Sequence, residues 1–225
     1  MGLASLGALL SIIAINLVLS GDNAVVIAMS TLRLEPGHRK KAIFWGTFGA
    51  VALRVVLTMV AAMLLTVPFL QAVGGLLLSW IAVKLLADDE KREEKEAPSS
   101  MAQAIKTIII ADFLMSLDNV LAVAGAARGN VFLLIAGLLL SIPLVVWGSA
   151  FLSKLMRKWP WLVALGAGLL GWTAGEMLLS EPYLKFFRTY PILEYLVPAA
   201  IAIAVVVIGH RISKKKEEQK ENIHY

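Results

Sequence analysis

Apolar runs of bilayer length follow one another along almost the whole chain, at residues 3–32, 42–66, 69–87, 103–127, 131–152, 161–180 and 195–210. A helix needs about 20 such residues to cross a hydrocarbon core. Almost no polar face separates the runs, so a soluble helical core is a poor fit. Of the 225 residues, 59% are hydrophobic and 16% are charged; an average globular chain has about 25% charged. The expected fold class is all-α: a polytopic membrane protein of about seven transmembrane helices.

The basic residues sort by side. With the N-terminus outside and the helices alternating, fifteen Lys and Arg fall in inside segments, around Arg33–Lys41, Lys91–Lys95, Lys154–Lys158 and Arg211–Lys220. Only Arg128, Lys185 and Arg188 fall outside. This is the positive-inside distribution, and it supports an odd number of crossings with the C-terminus in the cytoplasm. The net charge of +5 therefore reports topology and not nucleic-acid binding. Met1–Leu10 carries no Lys or Arg, so it lacks the basic n-region of a cleavable signal peptide. A bacterial inner membrane is the expected location. The absence of cysteine removes disulfides and thiolate ligands without fixing a compartment.

An internal repeat divides the chain. LSGDNAVVIA at 19–28 aligns with MSLDNVLAVA at 115–124, so Ser20 meets Ser116, Asp22 meets Asp118 and Asn23 meets Asn119. Asn16 meets Asp112 at the same offset of 96. GGLLLSWIAVKL at 74–85 aligns with GAGLLGWTAGEM at 166–177 at an offset of 92, which sets Lys84 against Glu176. A longer first connection, Arg33 to Lys41 against Arg128 to Asn130, would account for the change. Three helices per copy turn the second copy upside down, and inverted repeats of this kind are a transporter signature. The expected organisation is a first repeat over 1–87, a cytoplasmic linker over 88–102, an inverted second repeat over 103–180, an outer loop and last helix over 181–210, and a charged, disordered tail over 211–225. Pro198 is expected in the first turn of the last helix. Glu181 to Glu194 is expected as an interfacial loop with aromatic anchors.

Three acids, Asp22, Asp112 and Asp118, lie inside apolar runs. An ionised Asp at the centre of a membrane helix costs about 2.5–3.5 kcal/mol on insertion scales, so each needs compensation. Arg54 is deep enough to neutralise one of them; Lys84 can snorkel to the surface. A bound cation would compensate the rest. The candidate ligands are the carboxylates, the amides of Asn16, Asn23 and Asn119, and the hydroxyls of Ser20 and Ser116. An all-oxygen set suits a hard divalent ion such as Mn²⁺, Mg²⁺ or Ca²⁺. Met29 and Met115 could add a thioether, although packing is their commoner use. His38, His210 and His224 read as solvent-exposed.

A seven-residue step returns to nearly the same helix face, so Asn16 shares a face with Asn23, and Asp112 with Asn119. Unwinding at Gly21 would bring Asp22 inward and free backbone carbonyls. Leu117 stands where the first copy has Gly21, which makes the break asymmetric. Glu176, near the outer end of its helix, reads as an exit ligand, a proton acceptor or an interfacial residue. Glycines such as Gly46, Gly49, Gly166, Gly171 and Gly175 allow helices to approach closely.

The paired GDNAVVIA and LDNVLAVAGAA motifs, each with an amide or acid six positions before its Asp, resemble those of the TerC family of integral membrane proteins. The resemblance covers roughly residues 5–210 and is nearest the short bacterial branch. It implies a role in metal-ion homeostasis, chiefly manganese efflux. It also implies that Asp22, Asn23, Asp118 and Asn119 line the metal pathway, with Asp112 as acidic partner. Asn16 departs from the family pattern, which can carry an acid there. The family's historical link to tellurium resistance finds no chemical basis in a chain without thiols.

The expected function is a secondary transporter exporting divalent metal, Mn²⁺ foremost, with protons as a candidate counter-ion. No enzyme activity and no resident cofactor are expected. No Gly-x-x-x-x-Gly-Lys loop is present, so ATP is not the direct driver. The partners are the divalent ion and the lipid bilayer, with no nucleic acid and with room for a homo-oligomer. Two other classes compete. One is a metal sensor or assembly partner that binds without transport. The other is an intramembrane aspartyl protease using a pair of Asp, which the missing Gly-x-Gly-Asp pattern disfavours.

Overall fold

A computed structural model describes residues 20–64, 67–89, 100–127, 130–184 and 190–221, with backbone alone at 61–64, 89, 118–127 and 216–221. The described residues form seven α-helices and no strand. They are α1 (Gly21–Thr31), α2 (Pro36–Leu64), α3 (Leu70–Asp89), α4 (Met101–Ala127), α5 (Val131–Lys158), α6 (Trp161–Ser180) and α7 (Pro191–Glu221), with a 3₁₀ turn at Pro182–Leu184. Five of them, α2, α3, α5, α6 and α7, are long and apolar enough to cross a membrane by length and composition. The all-α polytopic expectation is met.

Local chemistry sets the helix ends. Pro36 and Pro191 open their helices, where a fixed φ and a missing N–H cost nothing. Asn130 caps α5 by accepting a hydrogen bond from the Leu133 N–H at 3.1 Å. Arg39 closes the other end of α1. Its Nε donates to the Thr31 carbonyl at 3.1 Å and its Nη2 to those of Leu32 and Leu34 at 3.2 and 2.6 Å. These carbonyls lie at and just beyond a helix C-terminus, where acceptors lack intrahelical donors.

The start of α3 is held from far along the chain. Phe69 takes a left-handed backbone, φ 60°, which is costly for a bulky residue. Two contacts fix it. The Phe69 ring stacks on Tyr183 with centroids 4.9 Å apart. Glu181, only 1% exposed, accepts the N–H groups of Phe69 at 3.0 Å and Ala72 at 3.4 Å. A carboxylate at a helix N-terminus is also favoured by the helix dipole. Glu181, in the connection after Ser180, is thus a buried tether for the start of α3.

Three further expectations are corrected. The last helix runs from Pro191 to Glu221, well past 195–210, and takes in much of the tail expected to be disordered. Pro198 lies inside that helix instead of in its first turn. His210 is half-buried, so only His38 is exposed as expected; His224 lies outside the described residues.

The helices form two groups. In one, α2 packs on α4, α1 on α5, α1 on α4 and α2 on α5; in the other, α3, α6 and α7 pack on one another. Exchanging α1, α2 and α3 with α4, α5 and α6 maps these pairings onto themselves: α2 with α4 becomes α5 with α1, and α3 with α6 is unchanged. This is the contact pattern that two related three-helix units make about a two-fold axis. The main core lies where the groups meet, and small residues with no exposed surface line it: Ala28, Ala82, Ala111, Ala167 and Ala174.

Glycines set the closest approaches. A methyl group at Gly46 would stand 2.7 Å from Ile108 Cδ1, at Gly166 2.8 Å from Val25 Cγ1, and at Gly75 2.6 Å from the Ala174 carbonyl oxygen. Gly171 and Gly175, four apart on α6, face the α7 backbone. A methyl at Gly171 would meet Ala202 Cα at 2.8 Å, and one at Gly175 would collide with Pro198. This small-xxx-small seam is what lets a proline-bearing helix dock so closely.

Candidate metal site

Ser20 stands at the non-helical N-cap of α1, φ −107° and ψ 6°, and its hydroxyl caps nothing. Its carbonyl accepts the Ala24 N–H at 3.0 Å. The described helix therefore starts at Gly21, the position expected to unwind. The next two residues carry the first motif. The Asp22 carboxylate accepts the Asn23 N–H at 2.8 Å through Oδ1 and is half-buried. Asn23 is 3% exposed, and neither its amide oxygen nor its amide nitrogen has a hydrogen-bond partner among the described residues. Leaving such a group buried and unpaired costs about 1–3 kcal/mol.

The second motif sits on a different backbone. α4 runs without interruption from Met101 to Ala127 through Leu117, so the two copies differ as the Gly21/Leu117 exchange implied. Asp118 and Asn119 fall on this helix, and their side chains lie outside the described residues. Asn16 lies outside them altogether.

Between the motifs stands a buried charged cluster. Arg54 of α2, 3% exposed, donates from Nη2 to Asp112 Oδ1 at 2.6 Å and from Nε to Ser116 Oγ at 2.9 Å. Ser116, with no exposed surface, donates in turn to Asp112 Oδ2 at 3.3 Å. Asp112 and Ser116 are four apart on α4, hence on one face, and that face meets α2. The packing of α1 on α4 brings the first motif to this cluster.

Arg54 was the one deep cation the sequence offered, and Asp112 is the acid it meets. Among the described residues no three His, Cys, Asp or Glu side chains converge as a metal cluster. Glu176 stands apart on an exposed face of α6, accepting the Trp172 indole N–H at 2.8 Å. Sequence reasoning missed the anchoring of Glu181 and Arg39. Each bonds backbone groups that no local pattern marks.

One comparison decides the family. The model of the integral membrane protein TerC family matches residues 1–217. The chain belongs to the TerC family. A relative described as the uncharacterized membrane protein YjbE of Bacillus subtilis is 42% identical over 89% of this chain and 92% of its own. A second from that organism, the uncharacterized membrane protein YceF, is 27% identical over 96% of this chain and 86% of its own. The UPF0053 inner membrane protein YgdQ of Escherichia coli is 25% identical over 69% of this chain and 73% of its own. No solved structure matches. This TerC-family chain is an integral membrane protein, as its relatives' descriptions and its apolar helices agree.

Proposed function

We propose that the chain is a secondary transporter that exports a divalent metal ion, Mn²⁺ foremost, across a bacterial inner membrane, with its N-terminus outside and its C-terminus in the cytoplasm. The observation that carries the reading is the buried amide of Asn23, unpartnered among the described residues, beside Asp22 on a helix packed against the one bearing Asp112 and Ser116. An amide oxygen next to a carboxylate is ready-made ligation for a hard cation. The TerC family match supports the same reading.

The ligands are Asp22, Asn23, Asp118 and Asn119, with Ser20 and Asn16 on the approach. Asp112 enters differently. Its carboxylate already holds Arg54, so a cation reaching Asp112 must displace a guanidinium. Arg54 is then an internal competitor of the cargo: it balances Asp112 when the site is empty and repels the ion once it is loaded. That opposition keeps binding weak enough for release. Glu176, exposed on α6 and bonded to Trp172, lies outside this ligand set, and protons are the counter-ion proposed.

Purified protein in liposomes containing a manganese-responsive dye tests this. Flux lost in both Asp22→Ala and Asp118→Ala supports transport. Manganese binding without flux turns the reading to a sensor, and no interaction with manganese refutes it.

A further inference from the structure

A cavity of about 490 Å³ opens where α1 and α3 end and α4 begins. Its size suits a small-molecule ligand. Its apolar wall is Met29, Leu32, Ile81, Leu85 and Ile110. Around it stand Arg33, Lys84 and Lys106, against a single acid among the described residues, Asp88. All three cations are exposed and form no ion pair among the described residues. Lys84 Nζ only overlies the Trp80 ring, 5.4 Å from its centroid. Arg39 is different: it lies at the same end of the molecule but is occupied with the α1 carbonyls. Trp80 is 61% and Ile110 39% exposed, so the cavity opens sideways, toward the surface that these apolar helices present to lipid.

Among the described residues three positive groups outweigh one negative, which makes the cavity a poor entry for a divalent cation. A soluble anion would explain the cations but not the apolar wall or the lateral opening. A ligand with a phosphate at one end and hydrocarbon at the other uses both. Basic pockets between membrane helices bind phospholipid head groups in this way, and Trp80, near the middle of the Leu70–Asp88 span, lies at acyl-chain depth. We infer that the cavity formed by α1, α3 and α4 is a binding site for an anionic phospholipid, with Arg33, Lys84 and Lys106 around the phosphate and the acyl chains leaving past Trp80 and Ile110. The inference is independent of the transport reading.

Native mass spectrometry of the full-length protein tests it, with phosphatidylglycerol and phosphatidylcholine of identical chains added to the detergent. The wild type is expected to retain phosphatidylglycerol preferentially. K84Q/K106Q should lose that preference, roughly fivefold in affinity for each charge removed. K40Q/K41Q, which removes two charges near the same end outside the cavity, should keep it. Equal retention in wild type and K84Q/K106Q overturns the proposal. So does displacement of the adduct by excess inorganic phosphate alone, which would mark a free-phosphate site. A second readout needs no charge variant. Quenching of Trp80, taken as the difference between wild type and W80F, should be stronger with acyl-brominated phosphatidylglycerol than with brominated phosphatidylcholine. Equal quenching also overturns the assignment.

Discussion

Arg54 and Asp112, 58 residues apart in sequence, meet at 2.6 Å inside the helix bundle. Their side chains are 4% and 12% exposed, so neither charge has ready access to solvent. Breaking such a pair from one side leaves an uncompensated buried charge, at about 3–5 kcal/mol. Arg54→Met and Asp112→Leu should each lower the thermal unfolding midpoint in detergent. The double variant should be more stable than either. Additive losses would show that the two groups do not act as a pair.

The competition between Arg54 and cargo makes a kinetic prediction. Arg54→Gln removes the charge and keeps a donor for Ser116. Manganese binding by calorimetry should tighten, while dye-reported flux should slow because release is no longer assisted. Weaker binding together with slower flux would contradict the competition.

Asn23 separates stability from function. Asn23→Leu removes a buried amide that has no partner among the described residues and puts an apolar side chain of similar size in its place. Stability should be unchanged or should rise by about 1 kcal/mol, while flux is lost. A clear loss of stability would mean that the amide has a structural role.

Glu181 makes the opposite case. Glu181→Ala deprives the Phe69 and Ala72 N–H groups of their acceptor, so unfolding should become easier by about 1–2 kcal/mol, as for other lost helix caps. Flux per folded molecule should be unchanged, because Glu181 is proposed as a tether and not a ligand. Thermal unfolding and transport measured on the same preparations check both halves.

The seam between α6 and α7 can be tested by one methyl group. Gly171→Ala places a carbon against the Ala202 backbone, which cannot swing aside as a side chain can. Overpacking of this kind costs about 1–3 kcal/mol. Gly168→Ala on the same helix, where the nearest atom is Val206 Cγ2 at 3.5 Å, should be nearly neutral. The pair, compared by unfolding midpoint, checks the seam.

The helices were legible because bilayer length and apolarity are local properties. So was the Gly21/Leu117 asymmetry, which needs only two aligned residues. Arg54 was recognisable as a deep cation, but its choice of Asp112 depends on how α2 leans on α4. Glu181 was missed for a similar reason: its bonds cross more than 100 residues of sequence, and an acid beside Pro182 looks like any loop residue. The extension of α7 to Glu221 was in principle readable. KKKEEQKE consists of good helix formers, whose propensity carries the helix on despite their charge.

Asp22, Asn23, Arg54, Asp112 and Ser116 all lie on α1, α2 and α4, and none on α3, α6 or α7. The division into two helix groups therefore does not cut through this constellation, although each group draws helices from both halves of the repeat. A sliding of one group along the alanine-lined contact would leave every distance within the cluster unchanged. The chemistry would ride as a sealed compartment on one side of the slip plane, and the third pair of helices with α7 would serve as its fixed rail.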